Sequence, residues 1–272
     1  MTMLVAWSTS LKARPNSAYL ASDSRITWGS DRLRWDAGRK LFACRTSPDI
    51  FGFSGDMLFG TQVLGQIVDL VEAGLLFNPQ ARVDRRHSAA LAAIQASHGR
   101  RHNAPEQDFE IVHIGRQGSR SATEFHGWTT RYHAATGQWH DEVITIEVGR
   151  PLAFGSGAKR FHERLAMRSS ANEEEVASTV FSVFSDCLAR GADPLSGGSP
   201  QLASLHRIGG ARHIGVVRQG RKFLHGLPVD AIHSGSLDWR DESFEAINGS
   251  SLKEKKLVQR LQRARTKRTL RE

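Results

Sequence analysis

The chain of 272 residues contains only two cysteines, and this scarcity excludes a disulfide-stabilised fold. Cys44 and Cys187 lie far apart in apolar surroundings, so they cannot build a thiolate metal site either. We expect both to be core residues. The twelve histidines show no His-Glu-x-x-His or comparable ligand spacing, so we assign no metal. The motif Gly-x-Ser-x-Gly is absent too, which disfavours a Ser-His-Asp hydrolase.

Long hydrophobic runs are also lacking. No basic leader precedes a clean apolar stretch, and the most apolar helical segment, 63–77, is interrupted by Gln66, Asp69 and Glu72. A membrane-spanning helix needs about 20 predominantly apolar residues, which this segment does not offer. We therefore expect a soluble cytoplasmic protein that does not enter the membrane.

Most of the positive charge lies at the C-terminus. Residues 253–272 carry nine Lys and Arg against two Glu, which is +7 of the total +9, so that the rest of the chain is +2. With so little net charge, residues 1–252 offer no general nucleic-acid-binding face. Leu257, Leu261 and Ala264 fall on one helical stripe, which predicts a basic amphipathic helix. We expect one domain over 1–235 and a basic extension over 236–272 that could contact an acidic partner or nucleic acid.

Hydrophobic periodicity predicts an alternation of strands and helices. Short apolar or alternating runs predict strands over 4–7, 18–21, 40–44, 50–53, 109–114, 123–128, 143–148, 202–206 and 214–217. Helical spacing predicts helices over 58–75, 89–95, 158–167 and 176–189. This order suits two antiparallel sheets sandwiched between two helical layers, an α+β fold of the αββα type.

The start of the chain has a chemical consequence. Initiator methionine is removed when the second residue is small, so loss of Met1 would leave Thr2 with a free α-amine. Such an amine has a pKa of about 8 and can accept the proton of its own Oγ1 at neutral pH. Many ordinary proteins also begin with Met-Thr, so this feature needs support from elsewhere in the chain.

Further motifs follow Thr2 in a fixed order. They are Ala21-Ser22-Asp23-Ser24-Arg25-Ile26-Thr27, Lys40 before a strand, Phe53-Ser54-Gly55, Gly155-Ser156-Gly157 and Asp193-Pro194-Leu195-Ser196-Gly197-Gly198. In this order the chain resembles the proteasome β-subunits, a family of N-terminal nucleophile (Ntn) hydrolases, and within it the bacterial proteasome-like proteases. The resemblance covers about residues 2 to 225. It implies the αββα sandwich described above.

The resemblance also implies a role for each motif. Lys40 would lie beside Thr2 as a cation that stabilises the developing alkoxide and keeps the α-amine neutral. Asp23 would pair with Lys40 and hold it in place. A plain surface ion pair is the alternative for these two residues.

The other catalytic motifs would surround the nucleophile. The backbone N–H of Gly55 would be the oxyanion donor, and glycine would allow the substrate carbonyl to approach closely. Ser156, Asp193 and Ser196 would form a hydrogen-bonding shell around the Thr2 amine. For the segment around Asp193, a simple turn is the alternative.

Substrate contacts follow from the same resemblance. Ile26, Phe53 and Met57 fall where the family lines the pocket for the residue before the cut bond, so we expect apolar residues to be preferred there. The same three side chains could equally be core residues. The backbone at Thr27 would align an extended peptide by strand pairing.

The predicted activity is hydrolysis of peptide or other amide bonds through an acyl-enzyme on Thr2, without a cofactor. The resemblance implies a homo-oligomer, in the family a ring, with unfolded protein as substrate and an ATP-dependent unfoldase as partner. The first hairpin is about five residues longer than is usual in the family, Met3 and Leu4 stand where Thr is common, and the chain has no propeptide. Two alternatives stay open, namely an inactive structural subunit, as proteasome α-subunits are, and an amidohydrolase acting on small molecules.

Overall fold

The computed structural model describes residues 2–12, 14–28, 33–168, 176–229 and 237–247. The elements in chain order are β1 (Leu4–Leu11), β2 (Arg14–Ser22), β3 (Ile26–Trp28), β4 (Leu33–Trp35), β5 (Leu41–Ala43), β6 (Asp49–Gly55), α1 (Met57–Glu72), α2 (Val83–His98), β7 (Phe109–Gln117), a 3₁₀ turn (Arg120–Ala122), β8 (Glu124–His133), β9 (Gln138–Ile144), β10 (Leu152–Phe154), α3 (Ala158–Ala166), α4 (Val176–Ala189), β11 (Gln201–His206), β12 (Arg212–Arg218), β13 (Arg221–Leu224), β14 (Leu227–Pro228), β15 (Trp239–Asp241) and β16 (Ala246–Ile247).

The strands form two large sheets and one small hairpin. The larger sheet has nine strands in the order β10-β1-β2-β11-β12-β13-β14, and β15 joins it beside β12 and carries β16. The second sheet has five antiparallel strands in the order β5-β6-β7-β8-β9. Strands β3 and β4 pair only with each other among the described residues. All pairings in the larger sheet are antiparallel except that of β12 with β15.

The central strands are buried on both faces because their side chains alternate. Leu4 and Ala6 of β1 point into an apolar cluster between the two sheets, which also contains Ile50 of β6. Val5 and Trp7 point the other way, into a cluster that includes residues of α3 and α4. A period of two in which both sets are apolar is what a strand buried on both faces requires.

Helix α1 covers the outer face of the five-stranded sheet. It begins after Asp56, whose side chain accepts a hydrogen bond from Phe59 N at 3.0 Å and caps the helix. Val63, Leu64 and Ile67 lie on its buried face and pack with Phe53 and other residues of the sheet. This cap places the N-terminus of α1 directly after the last residue of β6.

The outer layer of the nine-stranded sheet is not made of helices alone. Between β15 and β16 the chain places Phe244 against Trp7, Tyr19 and Phe181, with ring centroids 6.2, 5.2 and 5.5 Å away respectively. Within the predicted extension 236–272, residues 237–247 therefore belong to the larger sheet or pack on it. Residues 248–272, including the stripe with Leu257 and Leu261, lie outside the described residues.

The predicted fold class, an α+β sandwich of the αββα type, is wrong. The described chain is mostly β, with 38% of its residues in strands of large antiparallel sheets and 26% in helices. Its four α-helices do not form complete layers, since Phe244, in the turn between β15 and β16, packs on the outer face of the nine-stranded sheet beside α4. The sequence underestimates the amount of strand because hydrophobic runs reveal only the strands that are buried. Short strands such as β3, β4 and β13 to β16 have no apolar run and were therefore not predicted.

The individual elements were predicted more successfully. All four predicted helices are confirmed, with α2 longer than expected. The strand predicted over 143–148 is wrong, since β9 runs from Gln138 to Ile144. Both cysteines are free and buried, as expected of core residues. No helix in the described part of the chain is long and apolar enough to cross a bilayer.

Replacing Leu64 by alanine should lower the free energy of unfolding by about 2–5 kcal/mol, because the fully buried side chain leaves a cavity. Leu58→Ala is the matched control, since Leu58 lies on the same helix with 72% of its surface exposed. It should change stability by no more than about 0.5 kcal/mol. Urea unfolding of both variants measures the difference, and equal losses would contradict this packing.

Candidate active site

Three chain segments from both sheets converge on Thr2. The first strand pairs Leu4 with Ser22, so that Thr2 and Asp23 lie next to each other just beyond the ladder. Lys40 comes from the other sheet, where it directly precedes Leu41 of β5. The two sheets therefore bring a hydroxyl, a carboxylate and an amine together at one end of the molecule.

These three side chains form a buried hydrogen-bonded chain. Lys40 Nζ donates to Thr2 Oγ1 at 2.8 Å and to Asp23 Oδ1 at 2.8 Å. All three residues are fully shielded from solvent. Because an exposed ion pair would show neither this burial nor a third partner, the surface-pair alternative for Lys40 and Asp23 is wrong.

The carboxylate of Asp23 is held by backbone donors as well. Its oxygens accept hydrogen bonds from the amides of Met3 at 3.1 Å, Arg25 at 3.0 Å and Gly197 at 2.9 Å. A buried charge is tolerated where such bonds replace the lost water. Asp23 is thereby fixed in position and can orient Lys40.

The pKa of Lys40 is lowered by its surroundings. Burial is the largest cause, because it penalises the ammonium form, while the nearby Asp23 carboxylate opposes it by favouring the charge. Lys40 consequently gives up its proton more readily than an exposed lysine. The lowered pKa lets the amine exchange a proton with Thr2 Oγ1, and in its protonated form the same group can stabilise negative charge there.

A second set of polar residues surrounds the Thr2 nitrogen. Thr2 N donates to Ser156 Oγ at 3.3 Å, and Ser156 Oγ donates to Asp193 Oδ2 at 2.7 Å. Ser196 Oγ donates to the same carboxylate oxygen at 2.7 Å. The predicted shell of Ser156, Asp193 and Ser196 thus forms one connected network that ends on the Thr2 nitrogen.

Two glycines near this network have close backbone contacts that a side chain would not allow. Gly55 has φ +96°, and a Cβ there would lie 2.1 Å from the Asp108 carbonyl oxygen. Gly155 has φ +78°, and a Cβ there would lie 2.3 Å from the Thr2 carbonyl oxygen and 3.5 Å from Ser54 Cβ. The end of β6, with Ser54 and Gly55, is therefore close to Thr2.

An open cleft of about 640 Å³ begins at Gly55. The predicted substrate residues Ile26, Thr27 and Met57 line it, together with Trp28, Leu58, Leu195 and a set of polar residues. Phe53 does not line it. Its side chain is fully buried and packs under helix α1, where a Cβ on Gly60 would lie 2.2 Å from the ring.

Gln201, which none of the sequence motifs includes, connects the segments of the candidate site that carry Asp23 and Lys40. Its side-chain oxygen accepts from Lys40 N at 3.1 Å, and its amide nitrogen donates to the carbonyls of Gly38 at 2.7 Å and Asp23 at 3.1 Å. The one available signal is a glutamine at the first position of a buried strand, β11. Its contacts lie about 160 positions away along the chain, so no local pattern could identify its partners.

Arg25, which lies within the motif 21–27, connects two segments of the candidate site. Its guanidinium forms a two-pronged ion pair with Asp36, at 2.7 and 2.9 Å, and donates to the carbonyl of Pro194 at 3.1 Å. It therefore links the segment after β2 to the loop that carries Asp193 and Ser196.

No family model matches the chain, and no curated protein matches it. Within the described residues, no group of three or more His, Cys, Asp or Glu side chains is arranged to hold a metal ion.

Asp23→Asn should lower the free energy of unfolding by about 3–5 kcal/mol, because it leaves the buried Lys40 without its counterion. Asp36→Asn removes a carboxylate whose side chain is 42% exposed and should cost about 1 kcal/mol or less. Guanidinium unfolding at neutral pH compares the two variants. A loss for Asp23→Asn no larger than that for Asp36→Asn would show that the buried pair does not matter for folding.

Proposed function

We propose that this protein is a threonine-type hydrolase that cleaves peptide or other amide bonds through an acyl-enzyme on Thr2. The observation that carries the proposal is the fully buried Lys40 Nζ, which lies 2.8 Å from Thr2 Oγ1. A lysine is rarely buried unless it is paired, and this one contacts the hydroxyl as well as its counterion. The motif order that resembles proteasome β-subunits supports the same conclusion independently.

The proposed reaction begins after the peptide bond between Met1 and Thr2 is broken. The free Thr2 amine takes the proton from Oγ1, directly or through water, and Oγ1 attacks the substrate carbonyl carbon. The same amine returns the proton to the leaving nitrogen as the C–N bond breaks, which leaves an ester on Thr2. Water, activated by the amine, then attacks the ester and regenerates Thr2 with release of the acid.

The surrounding residues have distinct proposed tasks. Lys40 stabilises the developing alkoxide, and Asp23 keeps Lys40 in place. Ser156, which the Thr2 nitrogen already contacts, orients the free amine through its bond to Asp193. The N–H of Gly55 is the proposed oxyanion donor. No cofactor takes part in these steps.

The cleft that begins at Gly55 is the proposed substrate site. Ile26 and Met57 would contact the residue before the cut bond, and the backbone at Thr27 would pair with an extended peptide. From the resemblance, which implies a ring, we further propose a cytoplasmic homo-oligomer that acts on unfolded protein delivered by an ATP-dependent unfoldase.

Intact-mass spectrometry before and after treatment with a peptide epoxyketone tests the nucleophile, because this reagent needs both Oγ1 and a free α-amine. We expect loss of Met1 and one covalent adduct per chain. Thr2→Ala should abolish the adduct and peptide turnover, whereas Thr9→Ala, a matched change within β1, should leave both intact. Thr2→Ser should retain activity, since serine supplies the same two groups.

Other results would point to the alternatives. Retained Met1 with no adduct would favour an inactive structural subunit. An adduct without turnover of any peptide, but with hydrolysis of small amides, would favour a small-molecule amidohydrolase.

A panel of fluorogenic peptides tests the specificity of the cleft. Peptides with an apolar residue before the cut bond should be cleaved best, because Ile26 and Met57 present apolar surface there. Met57→Glu should lower kcat/KM for these peptides by about tenfold, the cost of desolvating a charge or losing apolar contact. Best cleavage after acidic or basic residues would refute the apolar preference.

A further inference from the structure

A second cleft lies at the opposite end of the five-stranded sheet. It has a volume of about 440 Å³ and is formed by the turn before β6, the connection between β7 and β8, and the turn between β11 and β12. Strand β6 runs from Asp49 to Gly55, which separates its two ends by about 20 Å at the usual rise per residue. This cleft is therefore distinct from the one that begins at Gly55.

Two buried arginines form one wall of the second cleft. Arg86 donates from Nε to Asp49 Oδ2 at 2.9 Å, from Nη2 to the Arg116 carbonyl at 2.8 Å and from Nη1 to the Ala81 carbonyl at 2.6 Å. Arg116 donates from Nε to the Gly118 carbonyl at 3.1 Å and from Nη1 to the His206 carbonyl. Only 2% of Arg86 and 8% of Arg116 is exposed.

The charge of these arginines is not balanced. Asp49 is shared between Arg86 and His113, and none of the ion pairs among the described residues includes Arg116. The carboxylate of Glu72 lies near the rim, where it accepts from the backbone amides of Arg45 and Thr46. Burial lowers the pKa of Arg116, and the neighbouring Arg86 charge lowers it further.

The chain close to the cleft adds more positive charge. Arg207 follows His206, and its guanidinium donates to the carbonyls of Pro15, Leu11 and Arg14 rather than to a carboxylate. Arg120 lies two residues after Gly118, and it has no ion pair among the described residues either. Arg120 and Arg207 do not line the cleft, but both belong to segments that adjoin it, so these segments add two positive charges to those of Arg86 and Arg116.

The remaining lining supplies polar groups and space. Thr46 and Ser119 carry hydroxyls, and Gln117 uses its side-chain oxygen to accept from Val83 N at 2.8 Å, which leaves its amide hydrogens for another partner. Gly209 has φ +78° and open space around it, since nothing lies within 4 Å of the position of a Cβ. An oxyanion with several acceptor oxygens matches this combination of guanidinium groups, hydroxyls and amides.

We propose that this second cleft binds a phosphate-type oxyanion, with the Arg116 guanidinium as its principal charged partner. The site is independent of the proposed hydrolase reaction, because it shares no residue with the network around Thr2. Free phosphate and the phosphates of a nucleotide offer the same chemistry, and the experiment below separates them.

Titration calorimetry at constant ionic strength tests the proposal with two probes, inorganic phosphate and ADP. We expect saturable binding of phosphate at one site per chain. Arg116→Gln should weaken it by about 10- to 100-fold, the effect of losing a charge-assisted hydrogen bond. Arg221→Gln, which removes the same charge from an exposed position on β13, should leave the affinity unchanged.

A second variant keeps the test decisive if Arg116→Gln does not fold. Ser119 is exposed and lines the cleft, so Ser119→Glu places a negative charge there without removing an arginine hydrogen bond. It should weaken phosphate binding to a similar degree and leave the epoxyketone adduct on Thr2 unchanged. ADP binding more than tenfold tighter than phosphate, and lost in the same variants, would identify a nucleotide as the ligand, whereas equal affinities would identify free phosphate.

The proposal would be overturned by absence of saturable phosphate binding to the unmodified chain. It would also be overturned if Ser119→Glu and a folded Arg116→Gln both bound phosphate as tightly as Arg221→Gln does. In either case the arginines would serve only to satisfy the carbonyls at the ends of the strands.

Discussion

The buried ion pair between Lys40 and Asp23 is the constraint around which the candidate active site is built. Removing two charges from water is costly, and the loss is offset only where other polar groups take the place of the solvent. Three backbone amides meet that need at Asp23, while Gln201 fixes the main chain at Lys40. Because Asp23 follows β2 of the larger sheet and Lys40 precedes β5 of the five-stranded sheet, the pair also links the two sheets beside Thr2.

The rigid frame behind this pair comes from strands that are apolar on both faces. In β1 and β2, alternate side chains pack between the sheets and against the outer layer, so neither strand can shift its register without exposing apolar surface. The polar residues of the site stand just beyond the strand ends, where the chain turns. Gly155 allows its turn to approach Thr2 because a Cβ there would collide with the Thr2 carbonyl, and Gly55 allows the end of β6 to approach the Asp108 carbonyl in the same way.

The two ends of β6 lie near different sets of buried polar side chains. Near Thr2, at the Gly55 end, Asp23 pairs with the buried Lys40, and Asp193 accepts hydrogen bonds from Ser156 and Ser196. At the Asp49 end, one carboxylate faces Arg86 and His113, and Arg116 donates only to carbonyls. Strand ends expose backbone groups that side chains must satisfy. Near Thr2 the buried Asp23 accepts from three backbone amides, whereas at the Asp49 end Arg86 and Arg116 donate to backbone carbonyls.

The sequence by itself determined the local elements and the identity of the polar residues in the candidate site. Helical spacing located α1 to α4, and motif order singled out Thr2, Asp23, Lys40 and the Ser156, Asp193 and Ser196 group, because both signals are carried by neighbouring residues. Only the tertiary structure decided the mostly β architecture, the burial of Phe53 under α1 and the role of Gln201. Each of these depends on contacts between residues far apart along the chain, such as Phe244 with Trp7 or Gln201 with Lys40, which no local period encodes.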